Sequence, residues 1–554
     1  MIMSLALVPQ PLSVTENTGT FTLDGGVSIV ASGEATGPAW LLHDALRAGT
    51  GLPLPVLPSA DGPAVTLALE GDAVEYPSVA AERYTLDVDA AGVRLTAAHP
   101  AGLARAVQTL RQLLPADTLR AGAVDSGRPV EVPAVSIVDE PRFAWRGVML
   151  DLARHFLPKV DVLRQIDLAA LHQLNVVHLH LTEDQGWRIE VPGWPKLTEL
   201  GSWRPETVVG HAGKPQGYDG TPHGGYYTRE DLREIVSYAA ARHVTVVPEI
   251  DLPGHVRSVL AAYPELGNQD VPGREDKGVA TTFGIFPEVL APTDEAVRFI
   301  KDVLDVVVDV FPSPYVHIGG DEVPRVEWRE SPAAQAKAAE LGLASTDLIQ
   351  SWFTKIMGEH LTAAGRKMIG WDEILDGGAP ADAAVMVWRD FSIAAKALQA
   401  GHSVVIAPHD EVYLNYYSSE DADEPLHIFG LNTVEGIAGF EPIPEGHSAE
   451  GVLGLQAELW SEYIPTRLAL EYCAYPRLAV VADVAWGAKD ARAAAPILDR
   501  LEAHIGRLDA LGVNYRPLTG PHPWQKGGTG GRARVEKPYE NLEDHHEKLD
   551  LPPI

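Results

Sequence analysis

The sequence predicts an α/β protein: a (β/α)₈ TIM barrel preceded by a smaller α+β domain. Three observations predict it. About eight short apolar runs follow one another between Arg146 and Leu459, separated by a helical stretch, a loop or both. Residues up to about 140 carry short alternating runs instead. The chain has 554 residues, 45% of them hydrophobic, which allows a large core and exceeds the usual length of one domain.

Taken in order, the first region contains YTLDVDAAGVRLTAA, whose period of two suggests a small antiparallel sheet, then an apolar-periodic helix from about Gly102 to Leu114. The barrel strands follow as RGVMLDLA, NVVHLHL, VTVVPEI, YVHIGG, KMIGW, AAVMVW, SVVIAP and VLGLQAEL. Among the intervening helices, the one before LREIVSYAAARH opens at Thr228 with Asp231 three residues on, a capping-box pattern. A helical segment from Pro465 to about Trp486 would close the ring. From Pro517 the chain is rich in Pro, Gly and charge and reads as a surface-hugging or mobile tail; its His545 and His546 read as a solvated terminus, not a metal site. The expected division is 1–140 accessory domain, 141–516 catalytic barrel and 517–554 tail.

Charge narrows the partners. With 44 Lys+Arg against 76 Asp+Glu the formal net charge is -32, which disfavours nucleic acid and anionic membrane surfaces and reads as solubility. The single cysteine, Cys473, cannot form an intramolecular disulfide, and its neighbours Tyr472, Ala474 and Tyr475 suggest a buried helix. The start MIMSLALVPQPLSV lacks a basic n-region and no stretch suits a bilayer span, so a cytoplasmic location is expected.

In a barrel of this kind chemistry sits at the carboxyl ends of the strands. Those ends carry Asp151, Arg154 and His155; Glu183, Asp184 and Gln185; Glu249, Asp251 and His255; Asp321 and Glu322; Trp371, Asp372 and Trp388; Tyr413 and Asn415; Trp460 and Glu462. Carboxylates and arginine beside tryptophan walls suit a sugar, which presents hydroxyls and apolar C–H faces. The sharpest element is HIGGDE, residues 317–322. In a regular strand Asp321 and Glu322 would point to opposite faces, so both serve one site only if the chain turns after Gly319 and Gly320. Two carboxyls held close cannot both ionise easily, so one of them is expected to have a raised pKa and to act as an acid.

HIGGDE, LTEDQGWR (181–188), PEIDLPGH (248–255), the tryptophans and the LWSE run together resemble family 20 glycoside hydrolases, the β-N-acetylhexosaminidases. The resemblance implies an N-terminal α+β domain, a catalytic barrel and retention of configuration with the substrate's own 2-acetamido oxygen as nucleophile. It implies that Glu322 is the acid/base, that Asp321 orients the acetamide and that Tyr413 bonds its oxygen. Trp371, Trp388 and Trp460 would box the sugar, Arg154 and Glu462 would bind its hydroxyls, and His255 with Glu183 would assist Glu322. One common family pattern has aspartate in place of Glu183, and Asn415 stands where some relatives have a sugar-binding aspartate. EPLHIFGLNTVEG lacks a tryptophan found there in some members.

The implied activity is exo-hydrolysis of terminal non-reducing β-linked GlcNAc or GalNAc, on oligosaccharides or glycoconjugates such as chitooligosaccharides, with no cofactor and no metal. Two other readings compete. His178 and His180 form an HxH on the second strand with both imidazoles on one face, as in metal-dependent barrel amidohydrolases, although further ligands cannot be assembled from the sequence. A non-catalytic sugar-binding protein on the same fold would keep the tryptophans and Arg154 but lose the acid. Sugar epimer, aglycone and oligomeric state are open at this level.

Overall fold

The computed structural model describes residues 5–272, 277–528 and 531–535. Eight parallel strands close a barrel in chain order: Trp145–Asp151, Val176–His180, Thr245–Glu249, Tyr315–His317, Lys367–Trp371, Ala384–Val387, Val404–Ile406 and Val452–Leu459. The eighth pairs with the first. Each of the eight apolar runs supplies one strand. Every residue of the first two strands is buried, because helices cover one face of each strand and the filled interior covers the other.

The outer helices form where caps and apolar stripes coincide. Thr228 Oγ1 accepts the Asp231 N–H at 3.1 Å and Asp231 returns the bond, the expected capping box of helix Arg229–Ala240. Helix Asp294–Val310 lays Phe299, Ile300, Val303, Leu304 and Val307 against the barrel. The segment expected from Pro465 to Trp486 is two helices, Arg467–Ala474 and Arg477–Trp486. Tyr475 between them is extended because it precedes Pro476, whose ring disfavours α geometry in the residue before it. Cys473 is buried in the first of the two.

The sheet of the N-terminal region differs from its expectation. It is seven-stranded and mixed, in the order Ser13–Leu23, Val130–Asp139, Tyr84–Asp89, Gly92–Ala97, Ala64–Leu69, Ser28–Val30 and Val56–Leu57. Tyr84–Asp89 and Gly92–Ala97 are the antiparallel hairpin that alternation predicts, but Ala64–Leu69 runs parallel to both Gly92–Ala97 and Ser28–Val30. The crossover helix Thr36–Thr50, which the alternating pattern does not announce, makes the parallel pairing of Ser28–Val30 with Ala64–Leu69 possible. The predicted second helix spans Pro100–Leu113 and packs Leu103, Val107 and Leu110 into a core that includes Trp486 from the barrel.

Charge also crosses this boundary. Glu82, buried, accepts from Arg105 Nε and Arg146 Nη2, each at 2.8 Å, and Arg146 belongs to the first barrel strand. Trp486 Nε1 donates to Asp139 at 3.0 Å. Toward the other end, Leu426 N–H donates to Arg532 O at 2.9 Å, while His545 and His546 lie outside the described residues. Among the described residues no helix is long and apolar enough to cross a membrane.

Candidate active site

A cavity of about 150 Å³ opens at the carboxyl ends of the barrel strands. Arg154, Asp321, Glu322, Trp371, Trp388, Tyr413, Asn415, Trp460 and Glu462 line it; Glu183 and His255 stand behind that lining.

The fourth strand stops at His317, and the chain leaves extended geometry there. Gly319 and Gly320 have φ of +66° and +90°, and Glu322 itself sits at +49°. A Cβ at position 319 would lie 1.8 Å from Asp251 Oδ1, whereas the Gly320 N–H donates to that same oxygen at 2.9 Å. The turn thus depends on glycine for both its torsions and its closeness to Asp251. It swings Asp321 and Glu322 into one cavity, as the two-glycine argument requires.

Behind them His255 reaches Glu322 Oε2 at 3.5 Å and Asp321 Oδ2 at 3.9 Å through Nε2. Its Nδ1 meets Glu183 Oε1 at 2.7 Å and Asp184 Oδ2 at 3.0 Å. The longer Glu183 thus still reaches His255 directly. Asp184 is an addition to the expected set; its signal was the second acid of LTEDQ. Glu183 also pairs with Arg154 Nη2 at 3.1 Å, and Asp151 holds Arg154 Nη1 at 3.3 Å.

These contacts set the charges. Burial, then the Glu322 charge, pushes the Asp321 carboxyl up to about 6 against the opposing pull of His255. Asp321, the group thus raised, is the one that the family resemblance assigns to orientation. Burial would lower His255, but the Glu183 charge and hydrogen bonds to Asp184, Glu183 and Glu322 hold it well above its ordinary value. Glu183 is held well below the carboxylate range, because Arg154 and His255 outweigh its burial. Burial and the Glu183 charge push Asp184 to about 7, and burial pushes Glu462 to about 7 against Arg154.

Aromatic rings form the rest of the pocket. Trp371 and Trp460 stand 5.7 Å apart at 42°, and Tyr413 lies 6.3 Å from Trp388 at 16°. Arg154 lies over Trp460 at 4.7 Å, a cation–π contact. Each of two indole N–H groups has its own acceptor: Trp371 donates to Glu249 Oε1 at 2.9 Å and Trp388 to Glu373 Oε2 at 3.0 Å. Phe283, Ile285, Ile428, Phe429 and Tyr463 also line the cavity and were not read from the sequence. They come from loops without periodicity; only the adjacency of Tyr463 to Glu462 hinted at one of them.

His178 and His180 do share a face, and both turn to Glu249. The structure adds His317, 3.1 Å from the same carboxylate, so the histidine set is larger than the sequence suggested. The rings of His178 and His317 lie 4.7 Å apart at only 31°, and His180 is engaged at both nitrogens. Ligand atoms of His178, Glu249 and His317 lie within 4.8 Å of one another, and the same Glu249 carboxylate also accepts from His180 Nδ1 and Trp371 Nε1.

A pocket of this kind can hold one ring between indoles, bond its hydroxyls through Arg154 and Glu462, and present two carboxyls to one bond. A model of glycosyl hydrolase family 20, catalytic domain, matches residues 143–489, and one of domain 2 of the same family matches residues 4–140. The beta-hexosaminidase of Porphyromonas gingivalis is 38% identical over 529 residues, 94% of this chain and 65% of that protein, so the chain spans just under two thirds of its length. The beta-N-acetylhexosaminidase of Cellulomonas fimi is 34% identical over 440 residues, 78% of this chain and 80% of the relative. Among solved structures, the family 20 exo-β-N-acetylglucosaminidase of Vibrio harveyi in complex with N-acetylglucosamine matches with a TM-score of 0.79 and 30% identity, covering 93% of this chain and 78% of that one. The family 20 β-N-acetylhexosaminidase of Streptomyces coelicolor matches at 0.78 and 32%, covering 93% and 98%. With both family models in place over the accessory sheet and the barrel, the chain belongs to glycosyl hydrolase family 20.

Proposed function

We propose that this chain is a retaining exo-β-N-acetylhexosaminidase, acting on terminal non-reducing β-linked GlcNAc or GalNAc of oligosaccharides or glycoconjugates. The observation that carries the reading is the pair Asp321 and Glu322, turned together into a small pocket walled by Trp371, Trp388 and Trp460. Exo action is the reading that membership of the family and the likeness to an exo-β-N-acetylglucosaminidase support.

In the proposed reaction Asp321 accepts the acetamide N–H and stabilises its developing charge, while Tyr413 holds the acetamide oxygen. That oxygen attacks C1 as the glycosidic bond breaks, and Glu322 gives its proton to the leaving oxygen. Water then attacks C1 of the oxazolinium ion and loses a proton to Glu322, which restores the acetamide and retains configuration. Arg154, Glu462 and Asn415 bind the ring hydroxyls, and His255 and Glu183 hold Glu322 in place. In this proposal residues 1–140 are accessory, 141–516 carry the chemistry and 517–554 form a tail.

Two variants test it. Asp321→Asn should lose about 10²- to 10³-fold in kcat on every substrate, because cyclisation is impaired whatever leaves. Glu322→Gln should lose about 10²- to 10⁴-fold on a poor leaving group and recover much of that on a nitrophenyl glycoside. If neither variant is impaired on any substrate, the mechanism is wrong.

A further inference from the structure

Beneath the pocket lies a carboxylate that the proposed reaction does not use. Glu249 ends the third strand inside the barrel and is fully buried. Its Oε2 accepts from His180 Nδ1 at 2.7 Å and its Oε1 accepts from Trp371 Nε1 at 2.9 Å. His180 is held on its other side as well, with Nε2 at 3.3 Å from Glu183 Oε2. One line of alternating acids and imidazoles therefore runs Glu249, His180, Glu183, His255, Glu322, with successive separations of 2.7, 3.3, 2.7 and 3.5 Å.

We infer that Glu249 and His180 are positioning residues for this site, fixing Glu183 and through it the acid/base Glu322, and fixing two indoles of the sugar box. The inference rests on the proposed reaction. Three features support it. A buried charge pair is weak evidence for stability, since apolar residues of similar volume fill a barrel interior as well or better. Glu249 therefore calls for a reason other than stability.

Glu183 is also fully committed. Its Oε1 takes His255 and the Asp184 N–H, and its Oε2 takes Arg154 and His180. Without His180 that carboxylate can turn about its last torsion, and His255 shifts with it. The 3.5 Å approach of His255 to Glu322, the longest step in the line, would feel the shift first.

The third feature is the pair's hold on the box. Glu249 anchors Trp371, and the His180 ring stands edge-on to Trp460 at 4.9 Å and 74°. An imidazole between two carboxylates can donate to both only as the imidazolium. Burial opposes that charge, yet the Glu249 charge and the bonds to Glu183 and Glu249 hold His180 well above its ordinary pKa.

The test uses the full chain and two N-acetyl-β-glucosaminides, one with a nitrophenyl and one with an alkyl leaving group. Glu249→Gln keeps volume and an acceptor for Trp371 but removes the charge that holds His180; His180→Gln removes the bridge itself. For each variant, kcat on the alkyl glycoside should fall about tenfold further than kcat on the nitrophenyl glycoside, because the defect reaches the substrate through the acid. Product N-acetylglucosamine should bind several-fold more weakly as the box loosens. Equal losses on both substrates, or none, would overturn the inference.

Glu322→Gln run on the same pair separates the two claims. If it too shows no leaving-group dependence, the acid/base assignment fails; if it alone shows the dependence, only the role of Glu249 and His180 fails. Should both variants fail to fold, the unaltered enzyme still decides. Its imidazole ¹⁵N spectrum at neutral pH must show His180 protonated at both nitrogens, and a neutral His180 overturns the inference.

Discussion

Asp321 must be ionised to stabilise the positive charge that develops on the acetamide, and its burial pushes the carboxyl up to about 6. A carboxyl with a raised pKa is charged only above the raised value. Activity should therefore fall as pH drops through about 6, and the acidic limb of kcat/KM should be missing or displaced in Asp321→Asn, which a pH–rate profile would show. Arg154 makes a second residue-scale case. It pairs with Glu183 and Asp151 while lying over Trp460, a flat fork that lysine does not reproduce. Arg154→Lys should lower kcat/KM by about 10²-fold, and steady-state kinetics on a nitrophenyl glycoside would measure it. Most of these residues were legible because strand ends in a barrel converge by topology. Asp184 was legible as a strand-end acid but not in its role: only the fold shows that it and Glu183 reach one imidazole nitrogen.

The turn after the fourth strand can be tested as an element. In Gly319→Ala the new methyl meets Asp251 Oδ1 at 1.8 Å on a backbone already at φ +66°. Gly320→Ala meets only Ile374 Cγ2, at 3.0 Å. The first should cost about 3 kcal/mol or more and abolish activity; the second should cost about 1–2 kcal/mol, the order that equilibrium denaturation would reveal. Elements with a strong local signal, such as the eight apolar runs, the capping box at Thr228 and the two glycines, were readable in the sequence. The break at Pro476 is harder to read although the proline is visible, because helical pattern continues on both sides of it. The loops bearing Phe283, Ile428 and Phe429 have no period to read, and their place at the pocket comes from long-range packing alone.

At the scale of the molecule, Glu82 ties the N-terminal region to the first barrel strand through Arg146, while Arg105 of helix Pro100–Leu113 holds the same carboxylate from its own side. Its burial would raise its pKa, but Arg146 and then Arg105 hold it below the ordinary value. The stabilisation from this depressed carboxyl is complete above the unfolded value of 4.5 and is lost as pH falls through the lower folded value. Glu82→Gln should cost about 3–5 kcal/mol at neutral pH, and the difference from the unaltered chain should shrink on acidification, as denaturant midpoints across pH would show. The mixed order of the accessory sheet was hidden because alternation reports which face a strand buries, not which neighbour it takes.

Trp486 carries a consequence for how the chain is made. It ends a barrel helix yet fills the core of the accessory sheet, beside Leu103 and Leu110, and bonds Asp139 from within it. During synthesis the accessory sheet leaves the ribosome first, but a side chain of its interior is added roughly three hundred and fifty residues later, the separation of Asp139 and Trp486 being 347. Until then the nascent sheet presents an uncovered apolar surface. The two parts of the chain therefore reach their final packing together, once helix Arg477–Trp486 has been made.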